Sequence, residues 1–103
     1  MLLADWRQWW ADRGESELLD LLRQRWDPFA DESFREAVQP ELAVLARKLH
    51  EGATLIETQR SLNELRRRYQ PERRGQKWIN RDRAVAKHLV SWYESATGEL
   101  RAG

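Results

Sequence analysis

The sequence predicts an all-α fold, a compact bundle of four to five helices with a Trp-rich core. Three observations carry that prediction. Apolar residues recur at helical spacing in five segments. No stretch alternates apolar and polar residues, and no Asn-Gly or Asp-Gly hairpin signal occurs. The segments are separated by glycines, prolines and capping residues rather than by long polar tracts. At 103 residues, residues 1–103 read as a single helical domain, in which folding buries about 65% of the surface of the unfolded chain.

The first helix is expected from Leu3 to Arg13, with Leu2, Trp6, Trp9 and Trp10 on one broad apolar stripe. Gly14 is its natural C′ residue, because glycine tolerates the left-handed conformation. Ser16 caps the second helix, whose face carries Leu18, Leu19, Leu22 and Trp26, and Asp27-Pro28 ends it. Ser33-x-x-Glu36 has the form of a capping box and starts the third helix. Phe34, Val38, Leu42, Leu45 and Leu49 keep one helical phase across Pro40. Either Pro40 opens a second helix at its N1 position or one kinked helix carries the stripe through. The cost of an interior proline, about 3 kcal/mol, favours the break.

Glu51-Gly52 ends that segment. Thr54-x-x-Glu57 is a second capping box, and Leu55, Leu62, Leu65 and Tyr69 form the buried side of the helix it opens. Pro71 and Gly75 mark a loop of about ten residues, long for a compact domain. Asn80 is expected to cap the last helix, with Val85, Leu89, Trp92 and Ala96 as its stripe and Thr97-Gly98 as its stop.

Leu21 to Phe29 has a mechanical reading. Trp26 closes a buried helix face, Asp27-Pro28 forces a turn, and Phe29 plugs the corner. With Phe34 and Glu36 opening the next helix, the stretch resembles an uncharacterised family of small all-helical bacterial proteins, which pair a helix ending in W-D-P-F with an aromatic-Glu helix. The likeness covers about Leu18 to Leu65. Ala30 stands where the family usually has glycine, and the basic stretch that follows has no counterpart in it. The resemblance implies an all-helical fold and no particular activity.

Composition excludes several classes of function. There is no cysteine, hence no disulfide and no thiolate chemistry. Asp5 interrupts Leu2-Leu3-Ala4, so no secretory apolar region forms, and no apolar run approaches the length of about 18 residues needed to span a bilayer. The expectation is a cytoplasmic protein that does not enter membranes. The two histidines, His50 and His88, are not at metal-ligand spacing; the first suits a helix C-terminus and the second a half-buried boundary. Asp27, Asp31 and Glu32 cluster, but a solvated turn with negative charge ahead of a helix explains them. Neither G-x-S-x-G nor a glycine-rich phosphate loop is present. These readings predict no enzyme, no cofactor and no metal. Leu45 to Leu49, the turn at Glu51-Gly52-Ala53 and Thr54 to Arg66 have the outline of a helix-turn-helix. Its turn is too long, and its second helix would present Glu57 and Glu64 to DNA.

Charge is divided between the halves. Residues 1–57 hold 7 Arg/Lys and 12 Asp/Glu, whereas residues 58–103 hold 11 and 5. The densest part, R-R-R-Y-Q-P-E-R-R-G-Q-K-W-I-N-R-D-R, spans Arg66 to Arg83. Arginine outnumbers lysine 15 to 3 in the chain, and its fork suits carboxylates and phosphates. Arg66, Arg67 and Arg68 end one helix, and Arg73, Arg74 and Lys77 follow on the loop. Arg81, Arg83 and Lys87 begin the next helix, against its dipole. Tyr69 and Trp78 interleave these cations and suit base stacking.

The expected function is therefore a non-enzymatic binding module that presents this surface to a nucleic-acid backbone or an acidic protein, as a small subunit of a larger complex. Three other readings stand beside it. The cations pair with the acidic half inside the same fold, or are simply solvated. The chain is an immunity or antitoxin-like protein that neutralises a partner protein. Two copies form a homodimer, acidic half to basic half.

Overall fold

A computed structural model describes the backbone of residues 3–102 and the side chains of residues 5–98. All regular structure among the described residues is helical: α1 (Leu3–Trp9), α2 (Glu15–Arg25), α3 (Glu32–His50), α4 (Leu55–Tyr69) and α5 (Gln76–Ala102). The bundle measures 44 × 25 × 20 Å, and its long axis matches α5, whose 27 residues rise about 40 Å. None of the described helices is long and apolar enough to cross a membrane.

The first two helices do not stop and restart at Gly14. α1 passes through a π-helical turn, Trp10–Gly14, straight into α2. Gly14 has φ −58° and ψ −45°, so the left-handed stop expected there is absent. The glycine is needed for space instead. A Cβ on Gly14 would lie 2.8 Å from the Trp9 ring and 2.9 Å from the Trp10 ring. The π turn also corrects the phase of the stripe. Trp6 and Leu18 are twelve residues apart, which in an uninterrupted α-helix sets them about 120° apart around the axis. The wider turn retards that rotation, and both residues end on the core side, fully or almost fully buried. Ser16 is not a cap; its hydroxyl donates to Arg13 O at 3.2 Å.

Trp26 leaves the helix (φ −107°, ψ 109°), and residues Asp27–Ala30 form one 3₁₀ turn. Phe29 plugs the corner as expected, with its ring centroid 5.3 Å from Trp26 and 5.9 Å from Phe34. The cap of α3 is Asp31 rather than Ser33: the Asp31 carboxylate accepts from Ser33 N at 2.9 Å. α3 then runs unbroken through Pro40, against the expectation of two helices. Pro40 and Glu36 are both exposed. The carbonyl that proline leaves without its helical partner therefore lies on the solvent side, open to water, while Phe34, Val38, Leu42, Leu45 and Leu49 hold the buried face.

Local signals succeed at the next junction. Gly52 (φ 94°) ends α3 in a Schellman motif, with Ala53 N donating to Lys48 O at 2.9 Å and Gly52 N to Leu49 O at 3.1 Å. The Thr54–Glu57 capping box forms in full, each bond 3.1 Å. The loop before α5 is only Gln70–Gly75, shorter than expected, because Gly75 O already accepts from Trp78 N and Ile79 N. Asn80 lies inside α5, accepting from Gln76 Nε2 at 2.8 Å. Gly98 does not stop that helix either. Thr97 folds its hydroxyl back onto Tyr93 O, and α5 continues to Ala102.

The core is one cluster. At one end Trp6, Trp9, Trp10, Trp92 and Tyr93 pack ring against ring, and at the other Trp26, Phe29 and Phe34. α5 touches α2, α3 and α4, so it is the central post, and its longest contact is with α4. That pair carries most of the basic stretch.

Candidate functional site

Helix phase decides which arginines α4 and α5 bury. Thr58, Leu62 and Arg66 recur at four-residue spacing on α4, and all three are buried. Asp82, Ala86, Leu89 and Tyr93 form the buried stripe of α5. Arg66 and Asp82 are each 0% exposed, and they meet. Arg66 Nη2 donates to Asp82 Oδ1 at 2.7 Å, and Nε lies 3.1 and 3.2 Å from the two carboxylate oxygens. Asp82 also accepts from Trp26 Nε1 at 2.9 Å and from Asn63 Nδ2 at 3.1 Å. On its other edge Arg66 grips Asp27 through Nη1 and Nη2, at 3.1 and 2.9 Å, and Arg73 Nη1 adds a bond of 3.2 Å to the same carboxylate. Two carboxylates and two guanidiniums thus join the W-D-P-F turn, α4, the loop and α5.

Burial opposes charge on both Arg66 and Asp27, but their mutual bonds prevail. The Asp27 carboxyl is held below the ordinary aspartate value, chiefly by the hydrogen bond and charge of Arg66. Arg66 is held more firmly protonated than a free arginine by Asp27 and Asp82. Arg66, expected at a partner surface, is consumed by the fold, whereas Arg73 stays 40% exposed while it shares Asp27. Asp82, which anchors Arg66, had a readable signal: a carboxylate on an apolar helical stripe requires a buried cation.

Trp78 is half-buried and walled by cations. Arg81, Arg66, Lys77 and Arg73 lie 4.6, 4.9, 5.1 and 5.2 Å from its ring centroid. Base stacking on Trp78, its expected role, would compete with these cation–π contacts. Tyr69 is 39% exposed, but its ring meets Phe34 edge-on at 5.9 Å. Arg81 opens onto a separate depression shared with Arg25, Asp27 and His88. His88 is exposed rather than half-buried, and Arg25 Nη1 lies 3.1 Å from its Nε2.

The remaining cations point outward. Arg67, Arg68 and Arg74 line a groove of about 670 Å³ between α4 and the start of α5, together with Arg60, Gln59, Asn63, Glu64 and Ile79. Arg60, which the basic stretch as read from sequence omits, belongs here because it stands two turns before Arg67 on the same face. Arg74 Nε is pinned by Pro71 O at 2.6 Å. Arg68 is shared with Glu41 at 3.2 Å and Glu64 at 4.0 Å. Arg83 and Lys87 follow Ile79 at four-residue steps and are exposed along α5, beyond the groove lining. Arg60, Arg67, Arg74, Arg83 and Lys87 form no ion pair with another described residue.

No metal-ligand cluster exists among the described residues. Asp27 is held by Arg66 and Arg73, and Asp31 by its capping bond. His50 Nδ1 lies 2.7 Å from Tyr93 Oη, which also accepts from Trp6 Nε1 at 2.7 Å. No family model, curated protein or solved structure matches this chain.

Proposed function

We propose that this protein is a non-enzymatic binding module that offers a basic, Arg-rich surface to a nucleic-acid backbone or an acidic protein, as a small helical subunit of a larger complex. The observation that carries this reading is the α4–α5 groove, where four arginines face one carboxylate, Glu64. Like charges gathered on one face repel one another unless an anion offsets them. The fold shows how it treats cations that serve its own stability: Arg66 and Arg73 are matched with Asp27 and Asp82. Arg60, Arg67 and Arg74 receive no such partner.

Pairing between the acidic and basic halves also occurs within one chain, at Asp27 with Arg66 and at Glu41 with Arg68. That favours a monomeric scaffold with surplus positive charge over exchange of halves between two copies. The test is capture from native extract on immobilised protein, comparing the wild type with an Arg67→Gln/Arg74→Gln variant, with and without nuclease. The module reading expects an acidic species held by the wild type, released by high salt and lost from the variant. Equal retention on both proteins moves the surface out of the groove, and a wild type that holds no acidic species contradicts the reading.

A further inference from the structure

The geometry points to a specific occupant of the groove: we propose that it binds the sugar–phosphate backbone of nucleic acid and does not read base sequence. This rests on the binding-module reading and narrows it to one partner class.

One feature separates a phosphodiester from an acidic protein, and two more fit a phosphodiester. The first is the lining. Ile79 is the one large apolar side chain in the groove, and the rest is guanidinium, amide and Glu64. Stable protein interfaces centre on desolvated apolar or aromatic anchors. The exposed large apolar residues Val44, Ile56 and Tyr69 do not line it. Nucleic-acid interfaces are instead polar and strongly positive. The second is donor chemistry. Arginine forks match two oxygens of one phosphate, and Gln59 adds a neutral amide beside them. The third is length. Arg60 and Arg67 are separated by about 10 Å of rise along α4, about the axial rise of three nucleotides of one strand in a duplex.

Base stacking meets competition at both nearby aromatic rings. Four cations lie around the Trp78 ring and Arg68 lies 6.0 Å from the Tyr69 ring centroid, so a base stacking on either competes with a cation already in place. Contacts limited to phosphate position a partner without selecting sequence.

The experiment is fluorescence anisotropy with a labelled 20-nucleotide strand, the same strand as a duplex, and a labelled poly-glutamate peptide, each over a salt series. The proteins are the wild type, Arg67→Gln/Arg74→Gln and, as a control away from the groove, Arg23→Gln. Melting curves check that each is folded. The proposal expects oligonucleotide binding at low salt, unchanged within about threefold when the base sequence is scrambled. It expects a loss of tenfold or more in the groove variant only, with a log–log salt slope shallower by about 2 on duplex, close to one counterion per lost cation. Three results overturn it. Oligonucleotide binding that survives in the groove variant moves the site elsewhere and leaves the module reading intact. Groove-dependent binding of poly-glutamate without oligonucleotide replaces the partner class and again leaves that reading intact. Failure of both probes at low salt removes the inference and the module reading together.

Discussion

Replacing Arg66 with methionine should be among the most damaging single changes in this chain, although Arg66 sits in a run of three consecutive arginines. Methionine keeps the length of the stem and a similar helix propensity, so the change isolates the guanidinium. Its loss leaves Asp82, which is fully buried, with only Trp26 Nε1 and Asn63 Nδ2 as donors. Removing one partner of a buried ion pair costs about 3–5 kcal/mol. Asp27 adds little, because its side chain is 34% exposed and it keeps Arg73. A loss near 4 kcal/mol is a large share of a domain stability of about 5–15 kcal/mol. Equilibrium urea unfolding followed by tryptophan fluorescence reads it directly. With an m-value of about 1.5 kcal/mol/M, the midpoint should fall by about 2–3 M. The added change Asp82→Asn removes the stranded charge and keeps an oxygen for Trp26 Nε1, so the double variant should regain at least about 2 kcal/mol. A loss below about 1 kcal/mol for Arg66→Met, or no recovery in the double variant, refutes the account of the buried cluster.

Gly14→Ala gains about 1 kcal/mol of helix propensity, but the new Cβ would press into the Trp9 and Trp10 rings. Overpacking at the upper end of its range of about 1–3 kcal/mol leaves a net loss near 2 kcal/mol, read by thermal melting; a stabilised variant would show that the rings yield freely. The Asp27 carboxyl has a folded-state pKa below its unfolded value. Its contribution is therefore fully present above the unfolded pKa of about 3.9 and is lost as pH falls through the folded value. Asp27→Asn should lower stability at pH 7 and flatten the loss of stability below about pH 4 relative to wild type. Parallel acid-unfolding curves for the two proteins contradict that assignment.

Signals confined to a few neighbouring residues translated directly into structure. Thr54 and Glu57 cap each other, Gly52 turns the chain, and Trp26-Asp27-Pro28-Phe29 makes its corner. The misreadings came where distant contacts decide. Gly14 looked like a helix stop, but its lack of a side chain makes room for two tryptophan rings. Pro40 stayed inside a helix because its exposed position lets water take the freed carbonyl while the opposite face remains buried.

The basic stretch shows the same limit at the functional site. Arg66 and Arg67 are adjacent and chemically identical, yet one is fully buried and the other lines the groove. Composition cannot separate them, but helical phase can: Arg66 continues Thr58 and Leu62, and Arg67 continues Arg60. Asp82 was legible by the same rule, on the stripe of Ala86, Leu89 and Tyr93. Trp78 was not, because the four cations around it come from three segments: the end of α4, the loop and the start of α5.

The central claim is that the fold consumes part of the basic stretch and leaves a defined remainder for a polyanion. Arg67, Arg74, Arg83 and Lys87 are that remainder, joined by Arg60 from outside the stretch, and all five are free of ion pairs with other described residues, whereas Lys77 and Arg81, also without ion pairs, are held against Trp78. The salt dependence of wild-type binding to duplex DNA counts them. Five phosphate contacts predict a log–log slope of about −4.5. Nine contacts, the full set of cations from Arg66 to Lys87 engaged together, predict a slope of about −8. A measured slope near −4.5 supports the division, and a slope near −8, or one close to zero, contradicts it.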